Sequence, residues 1–330
     1  MTSASSAAVS EARADIPPYH LTERKQESKA LEDIATVPAE RPFYQVADQR
    51  GFCEGVADCV SAICRQLFFC CCCCNSSAPP LTESREKAPF PILGDRKYHF
   101  ALEDMPWRKG KESSSLYLLI HGLNGKPHHW SSYQNYLEKV DPKATVLVPH
   151  VPLKGNCPLE ESAEPFLELV ADYIARNPKK PVKICSFSNG SRISAYIETH
   201  LNPQHVRETS FSFVSIAGIY GGTSLINRLQ DIHLLGMTSL HPKLAEEIVS
   251  GSPHSQALVA ALNERQRLWQ REGVQIKHLF FATRNDELLY PLETSFPTLH
   301  GVEKESYRPQ SGFTHETLIE GVKEEVFKWL

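Results

Sequence analysis

Ser188 lies in Ser186-Phe187-Ser188-Asn189-Gly190, between the apolar run PVKICSFS and the helix-like SRISAYIETH. A serine between a strand and a helix can act as a nucleophile if the turn is tight enough to hold its hydroxyl clear of both elements. In such a turn strand and helix almost touch, so the residues two before and two after the serine must be small. Ser186 and Gly190 satisfy this for Ser188. Ser186 itself has Ile184 two before it, and Ser191 has Ile193 two after it, so neither fits the position. The competing reading is an ordinary serine cap on the following helix.

Three further segments follow apolar runs and carry matching chemistry. Ile120-His121-Gly122-Leu123-Asn124-Gly125 has paired glycines at a strand exit, where backbone can approach a bound group closely. In acyl transfer this loop would aim the Leu123 N–H at the developing oxyanion, with Asn189 supplying the second N–H. His121 is expected to be structural in that loop. Asp286 follows HLFFATRN and can orient an imidazole and stabilise its charged form. Glu287 and Glu293 are its rivals, and either can equally be a solvated surface charge. His315 lies in Gly312-Phe313-Thr314-His315-Glu316, before the final helical stretch. One histidine of 14 near a loop means little by itself, but the chain order Ser188, Asp286, His315 is the hydrolase order. His300 is the runner-up for the base.

These residues need a scaffold that brings distant strand ends together. Strand-like runs are KYHFAL, SLYLLIHG, ATVLVPHV, PVKICSFS, TSFSFVSIAG and VQIKHLFFAT. Helical spacing fills the intervals. In 163–176 it is Ala163, Phe166, Val170 and Tyr173, with Ser162 expected as N-cap and Pro165 in the first turn. Residues 255–271 carry Leu258, Ala261, Leu262, Leu268 and Trp269 and stop at Gly273, and a last helix spans about 316–329. This alternation predicts an α/β fold with a largely parallel sheet and chemistry at the carboxyl ends of its strands. Residues 218–253 interrupt the alternation. Leu225, Ile226, Leu229, Ile232 and Leu235 there give an apolar face that suits either a lid or packing on the sheet.

The four motifs together resemble the α/β-hydrolase superfamily. IHGLNG is similar to the HGLxG oxyanion loop of bacterial lipases and of serine esterases related to GPI-inositol deacylases. Residues 186–190 resemble the nucleophile elbow, NDELLYP the acid-bearing turn, and GFTH the histidine loop. The likeness covers roughly residues 95–330. It implies an α/β-hydrolase fold, mostly parallel with helices on both faces of the sheet; the disordered and helical N-terminal region expected before it lies outside the likeness. It implies Ser188 as nucleophile, His315 as base and then acid, Asp286 as orienter, and Leu123 and Asn189 as oxyanion donors. Residues 218–253 fall where this family inserts lids, so the likeness allows a lid there beside the packing alternative. Ser186 departs from the pattern by replacing the first glycine of G-x-S-x-G, and the turn is expected to form with more strain. The implied reaction is cleavage of a lipid or acyl ester without cofactor or metal. A thioesterase or transacylase would use the same triad. A non-catalytic membrane-tethered scaffold is the alternative from another class.

The chain has 330 residues, and the N-terminal part carries most of its compositional oddity. Ten cysteines include eight between Cys53 and Cys74, a clustering unlike a secreted disulfide framework. Residues 1–42 read as a disordered tail with no Sec-type signal peptide. Residues 43–75 read as an amphipathic helix, with Phe52, Val56, Val60, Ile63 and Leu67 on one face, running into Cys70, Cys71, Cys72, Cys73 and Cys74. Residues 76–94 are a linker. Adjacent cysteines diverge too much for a tetrahedral metal site, and charges interrupt a membrane span. The reading preferred is a surface-lying helix fixed by S-acylation of Cys70–Cys74, holding the protein on the cytoplasmic side of a membrane. Residues 1–90 carry 9 basic and 12 acidic groups, so no polybasic patch assists. The bland alternative is that the apolar stripe packs on the catalytic domain. A charge of −4, from 35 basic and 39 acidic residues, argues against a nucleic-acid partner.

Overall fold

The computed structural model describes residues 100–330 except His233. The expected tail, cysteine-rich helix and linker, with Cys70–Cys74, lie outside the described residues. In chain order the regular elements are β1 (Leu116–Ile120), α1 (Ser131–Val140), β2 (Thr145–Leu147), α2 (Leu159–Arg176), β3 (Val182–Phe187), α3 (Gly190–His200) and α4 (Pro203–Val206). Then follow β4 (Phe211–Ile216), α5 (Ser224–Asp231), α6 (Pro242–Ile248), α7 (Pro253–Glu272), β5 (Ile276–Thr283), β6 (Tyr307–Gln310), α8 (Leu318–Gly321) and α9 (Lys323–Trp329).

The strands form one sheet in the order β2-β1-β3-β4-β5-β6, and every pairing is parallel. From β1 the chain goes first to the β2 edge and then crosses back to β3. The strand order therefore reverses between β1 and β3, the position where open α/β sheets form their crevice. The loops leaving these two strands are IHGLNG and the Ser188 turn.

The strands read as continuous apolar runs because both faces of the sheet are covered. On one face Leu118, Ile184 and Phe213 pack with Phe166, Val170, Ile197 and Trp269 of α2, α3 and α7. On the other Leu119, Cys185, Val214 and Phe281 pack with Tyr133, Ile226, Leu244 and Val326 of α1, α5, α6 and α9. α3 is enclosed on nearly every side: Ser191, Arg192, Ser194 and Glu198 are buried together with its apolar residues. Among the described residues no helix is long and apolar enough to cross a membrane.

Some local expectations change. The described end of KYHFAL is not a strand. Phe100 and Ala101 are buried, but the chain turns directly into a 3-10 helix at Leu102–Asp104. Burial alone produces the apolar pattern there. α2 begins at Leu159, so Ser162 is inside the helix, with its hydroxyl 2.9 Å from the Cys157 thiol, and Pro165 is interior as well. β6, with sequence YRPQ, has no apolar signature because it is a half-exposed edge strand, where a proline costs no ladder bond. The final helix is split at Val322. Gly273 does end α7, in the left-handed conformation at φ 70°.

The 218–253 excursion is closed at its base. Thr223 N–H donates to Ile248 O at 2.7 Å, and Gly251 N–H donates to Gly221 O at 3.0 Å. Ile226 and Leu229 point into the core, Leu225 and Leu235 pack partly against it, and Ile232 faces outward at 57% exposure.

Candidate active site

The turn after β3 is the strained point of the site. Ser188 has φ 54°, left-handed backbone that side-chain-bearing residues rarely adopt. Its N–H donates to Ile216 O on β4 at 2.9 Å, and its carbonyl accepts from Ser191 N–H at 3.0 Å. The small flanks are enforced by close approach. A Cβ on Gly190 would lie 2.6 Å from Ile120 O and 2.8 Å from His121 O, so α3 can start here only with glycine. On the other flank Ser186 is fully buried. Its hydroxyl donates to Val214 O at 3.0 Å and lies 3.2 Å from Ser191 Oγ, which in turn accepts from Ser215 Oγ at 2.9 Å. The departure from glycine is thus accommodated by a set of hydroxyls beneath the turn, each with a partner. Sequence reasoning missed this set. The available signal was Ser186 opposite Ser215 in register, two small polar residues in otherwise apolar strands.

His315 and Asp286 meet Ser188 from loops past the strand ends. His315 Nε2 is 3.0 Å from Ser188 Oγ, and His315 Nδ1 is 2.8 Å from Asp286 Oδ2. All three side chains are buried. Asp286 Oδ1 accepts the N–H groups of Leu288 at 2.9 Å and Leu289 at 2.8 Å, which fixes the carboxylate and leaves Oδ2 for the imidazole. A carboxylate on Nδ1 keeps the proton there, so Nε2 is free to accept from the serine hydroxyl. Burial pulls the His315 pKa down, but the negative charge of Asp286, aided by Glu287 and Glu316, outweighs it, and the net shift is upward. The rivals have other places. Glu287 accepts the backbone N–H of His315 at 3.2 Å, Glu293 is exposed, and the backbone N–H of His300 donates to Asn263 Oδ1 at 2.7 Å.

The IHGLNG loop lies directly against Ser188. A Cβ on Gly122 would fall 2.7 Å from Ser188 Cβ and 3.2 Å from its Oγ, so only glycine allows this approach. Leu123 and Asn189 flank one further glycine. From an added Cβ on Gly155, Asn189 Nδ2 is 3.3 Å away and the Leu123 backbone N 3.8 Å. Among the described residues neither the Leu123 nor the Asn189 N–H donates to a backbone acceptor. His121 is a structural pin. Its Nε2 accepts Val151 N–H at 3.1 Å, and its Nδ1 lies 2.9 Å from Gly122 O. Burial lowers its pKa to about 4, so it stays neutral in that role. Asn124 N–H donates to Lys154 O at 2.8 Å, which ties the loop to a second strained segment in which Leu153 and Lys154 also have positive φ. Among the described residues no group of three or more histidine, cysteine or acidic side chains is arranged to hold a metal ion.

No protein-family model matches the chain. No curated protein matches it either. Several solved structures are similar. Est1E from Butyrivibrio proteoclasticus, solved with ferulic acid bound, is 14% identical over 68% of this chain and 91% of its own, with a TM-score of 0.42. Lipase B of Aspergillus fumigatus is 13% identical over 80% of this chain and 64% of its own, at a TM-score of 0.44. Phospholipase PlaB from Legionella pneumophila is 14% identical over 51% of this chain, at a TM-score of 0.38, and the match spans only 39% of its own length. The parallel sheet in the order β2-β1-β3-β4-β5-β6, the left-handed serine after β3, and an acid and a histidine past β5 and β6 give this chain the α/β-hydrolase fold.

Proposed function

We propose that this chain is a serine hydrolase that cleaves carboxylic esters with a lipid or acyl group through an acyl-enzyme on Ser188. One observation carries the reading: an unbroken hydrogen-bonded line from Ser188 Oγ through His315 to Asp286, at 3.0 and 2.8 Å, on a left-handed turn at a strand end. His315 Nε2 takes the hydroxyl proton as Ser188 Oγ attacks the ester carbonyl. The carbonyl oxygen gains negative charge, which the N–H groups of Leu123 and Asn189 receive. As the tetrahedral intermediate collapses, His315 returns the proton to the leaving alcohol. Water then attacks the acyl-enzyme by the same route and frees Ser188. Asp286 stays ionised throughout and stabilises the imidazolium.

The test is turnover of p-nitrophenyl esters of increasing acyl length by wild type and Ser188→Ala. Wild type is expected to turn over and the variant to fall to background. An inert wild type across a lipid-ester and thioester panel would favour a non-catalytic scaffold.

The proposal extends to location. S-acylation of Cys70–Cys74 would hold the hydrolase on the cytoplasmic side of a membrane, where its substrates reside. Acyl exchange on protein from a eukaryotic cytosol should give hydroxylamine-sensitive label on that stretch, and absence of label would remove this part of the reading.

A further inference from the structure

The buried Arg192–Glu247 ion pair takes no part in the proposed catalysis. Arg192, on the first turn of α3, has a side chain 1% exposed, and that of Glu247, on α6, is 7% exposed. Arg192 Nη2 donates to Glu247 Oε2 at 3.1 Å, and Nη1 donates to Asn189 Oδ1 at 3.4 Å. The other end of the same amide, Asn189 Nδ2, donates to Gly155 O at 3.2 Å. Glu247 also accepts the Leu159 N–H, at 3.1 Å to Oε2. Its backbone carbonyl takes the hydroxyls of Ser252 at 2.8 Å and Ser255 at 3.1 Å. The pair therefore joins the base of the 218–253 excursion to the residue directly after the nucleophile, and through Gly155 to the segment that holds the IHGLNG loop.

Stability alone is a poor reason for such a pair. Removing two charges from water costs so much that well-packed apolar side chains often serve as well or better. What an apolar pair cannot do is donate to Asn189 Oδ1 and so complete the hold that Gly155 O provides at the Nδ2 end. Asn189 is the residue whose backbone N–H faces the oxyanion in the proposed mechanism, and a side chain clamped on both sides fixes the peptide that carries it. The planar guanidinium is suited to this because it spans two acceptors in a fixed fork, which an ammonium cannot do.

We propose that Arg192 and Glu247 are positioning residues for the oxyanion site: they clamp Asn189 so that its N–H is already in place when Ser188 attacks. This rests on the reading of Ser188 as nucleophile. It also makes the 242–249 end of the excursion a fixed buttress, so that any lid movement is confined to the part before it.

The experiment compares wild type, Arg192→Lys and the double variant Arg192→Met/Glu247→Leu. Melting temperature, kcat and KM on a p-nitrophenyl ester, and the rate of fluorophosphonate labelling are measured for each. Arg192→Met alone would strand the Glu247 charge and risks unfolding, whereas the double variant removes both charges and Arg192→Lys keeps the ion pair. The proposal expects both test variants to melt close to wild type, with KM within about twofold and kcat and labelling rate down about tenfold or more, short of the full loss of an oxyanion donor. A folded double variant with wild-type kcat would overturn it. So would Arg192→Lys at wild-type kcat, because a purely structural ion pair is satisfied by lysine. A wild-type protein inert to both ester and probe would overturn the hydrolase reading, and this role with it.

Discussion

Among the described residues two histidine–carboxylate pairs are buried, and in one of them the second imidazole nitrogen faces a serine hydroxyl. His315 Nδ1 is 2.8 Å from Asp286, and its other nitrogen faces Ser188. His278 Nε2 is 3.0 Å from Glu198 on α3, and both groups are as well buried as the first pair. Gln266 donates to the same glutamate and lies 3.5 Å from the His278 ring. His278 is in the first half of β5, stacked between Phe213 and Phe280, whereas His315 lies in a loop beyond the strand ends. The second pair borders a cavity of about 10 Å³ lined by Ser194, Tyr220 and Leu262 among others, room for about one water and no substrate. An imidazole on a carboxylate is thus no signature by itself. Its position relative to the strand ends, and the group on its second nitrogen, decide what it can do.

The sharpest way to break this comparison is to neutralise each carboxylate. Asp286→Asn should lower kcat about 10⁴-fold, because an amide can donate to Nδ1 and leave His315 in the wrong tautomer. Glu198→Gln should leave kcat within about twofold and show instead as a loss of roughly 1–3 kcal/mol in denaturant unfolding. Equal kinetic losses in the two variants would erase the distinction drawn here.

A smaller effect is expected from Gly122→Ala. The added methyl would press on Ser188 Cβ at 2.7 Å and displace the loop that offers Leu123 N–H. Loss of one donor predicts a fall in kcat of about 10²–10³ with the fold retained. Unchanged turnover would mean that the loop does not serve the oxyanion.

The mildest perturbation is pH. The Asp286 charge holds the His315 pKa above its ordinary 6.5 despite burial, and only neutral imidazole can take the serine proton. The rate should be low in acid and rise with pH through a midpoint above 6.5. Asp286→Asn removes the main opposing charge and leaves burial, so its residual activity should titrate at lower pH. Glu198→Gln should leave the midpoint where it was.

Much of the candidate site's geometry was legible because close packing dictates residue size. The rule that selected Ser188 works because α3 begins so close to β1 that Gly190 admits no side chain. Parallel strands covered on both faces announce themselves as apolar runs, and the segments past their ends bring Ser188, Asp286 and His315 together. Other features carry no such mark. Phe100 and Ala101 are buried in irregular chain, and an apolar pattern reports burial whatever the backbone does. β6 is a polar edge, so hydrophobic period cannot reveal it. Ser162 looks like a cap but lies within α2, where Cys157 gives its hydroxyl a partner. The Arg192–Glu247 pair joins residues 55 positions apart in sequence, and only the fold makes them neighbours.

The central claim is that Ser188 is the activated nucleophile, and its most direct test is covalent. Intact-mass and peptide analysis after fluorophosphonate treatment should find one adduct on wild type, located on Ser188, and none on Ser188→Ala. An adduct that persists in Ser188→Ala, or a properly folded wild type that takes no label, would contradict the account.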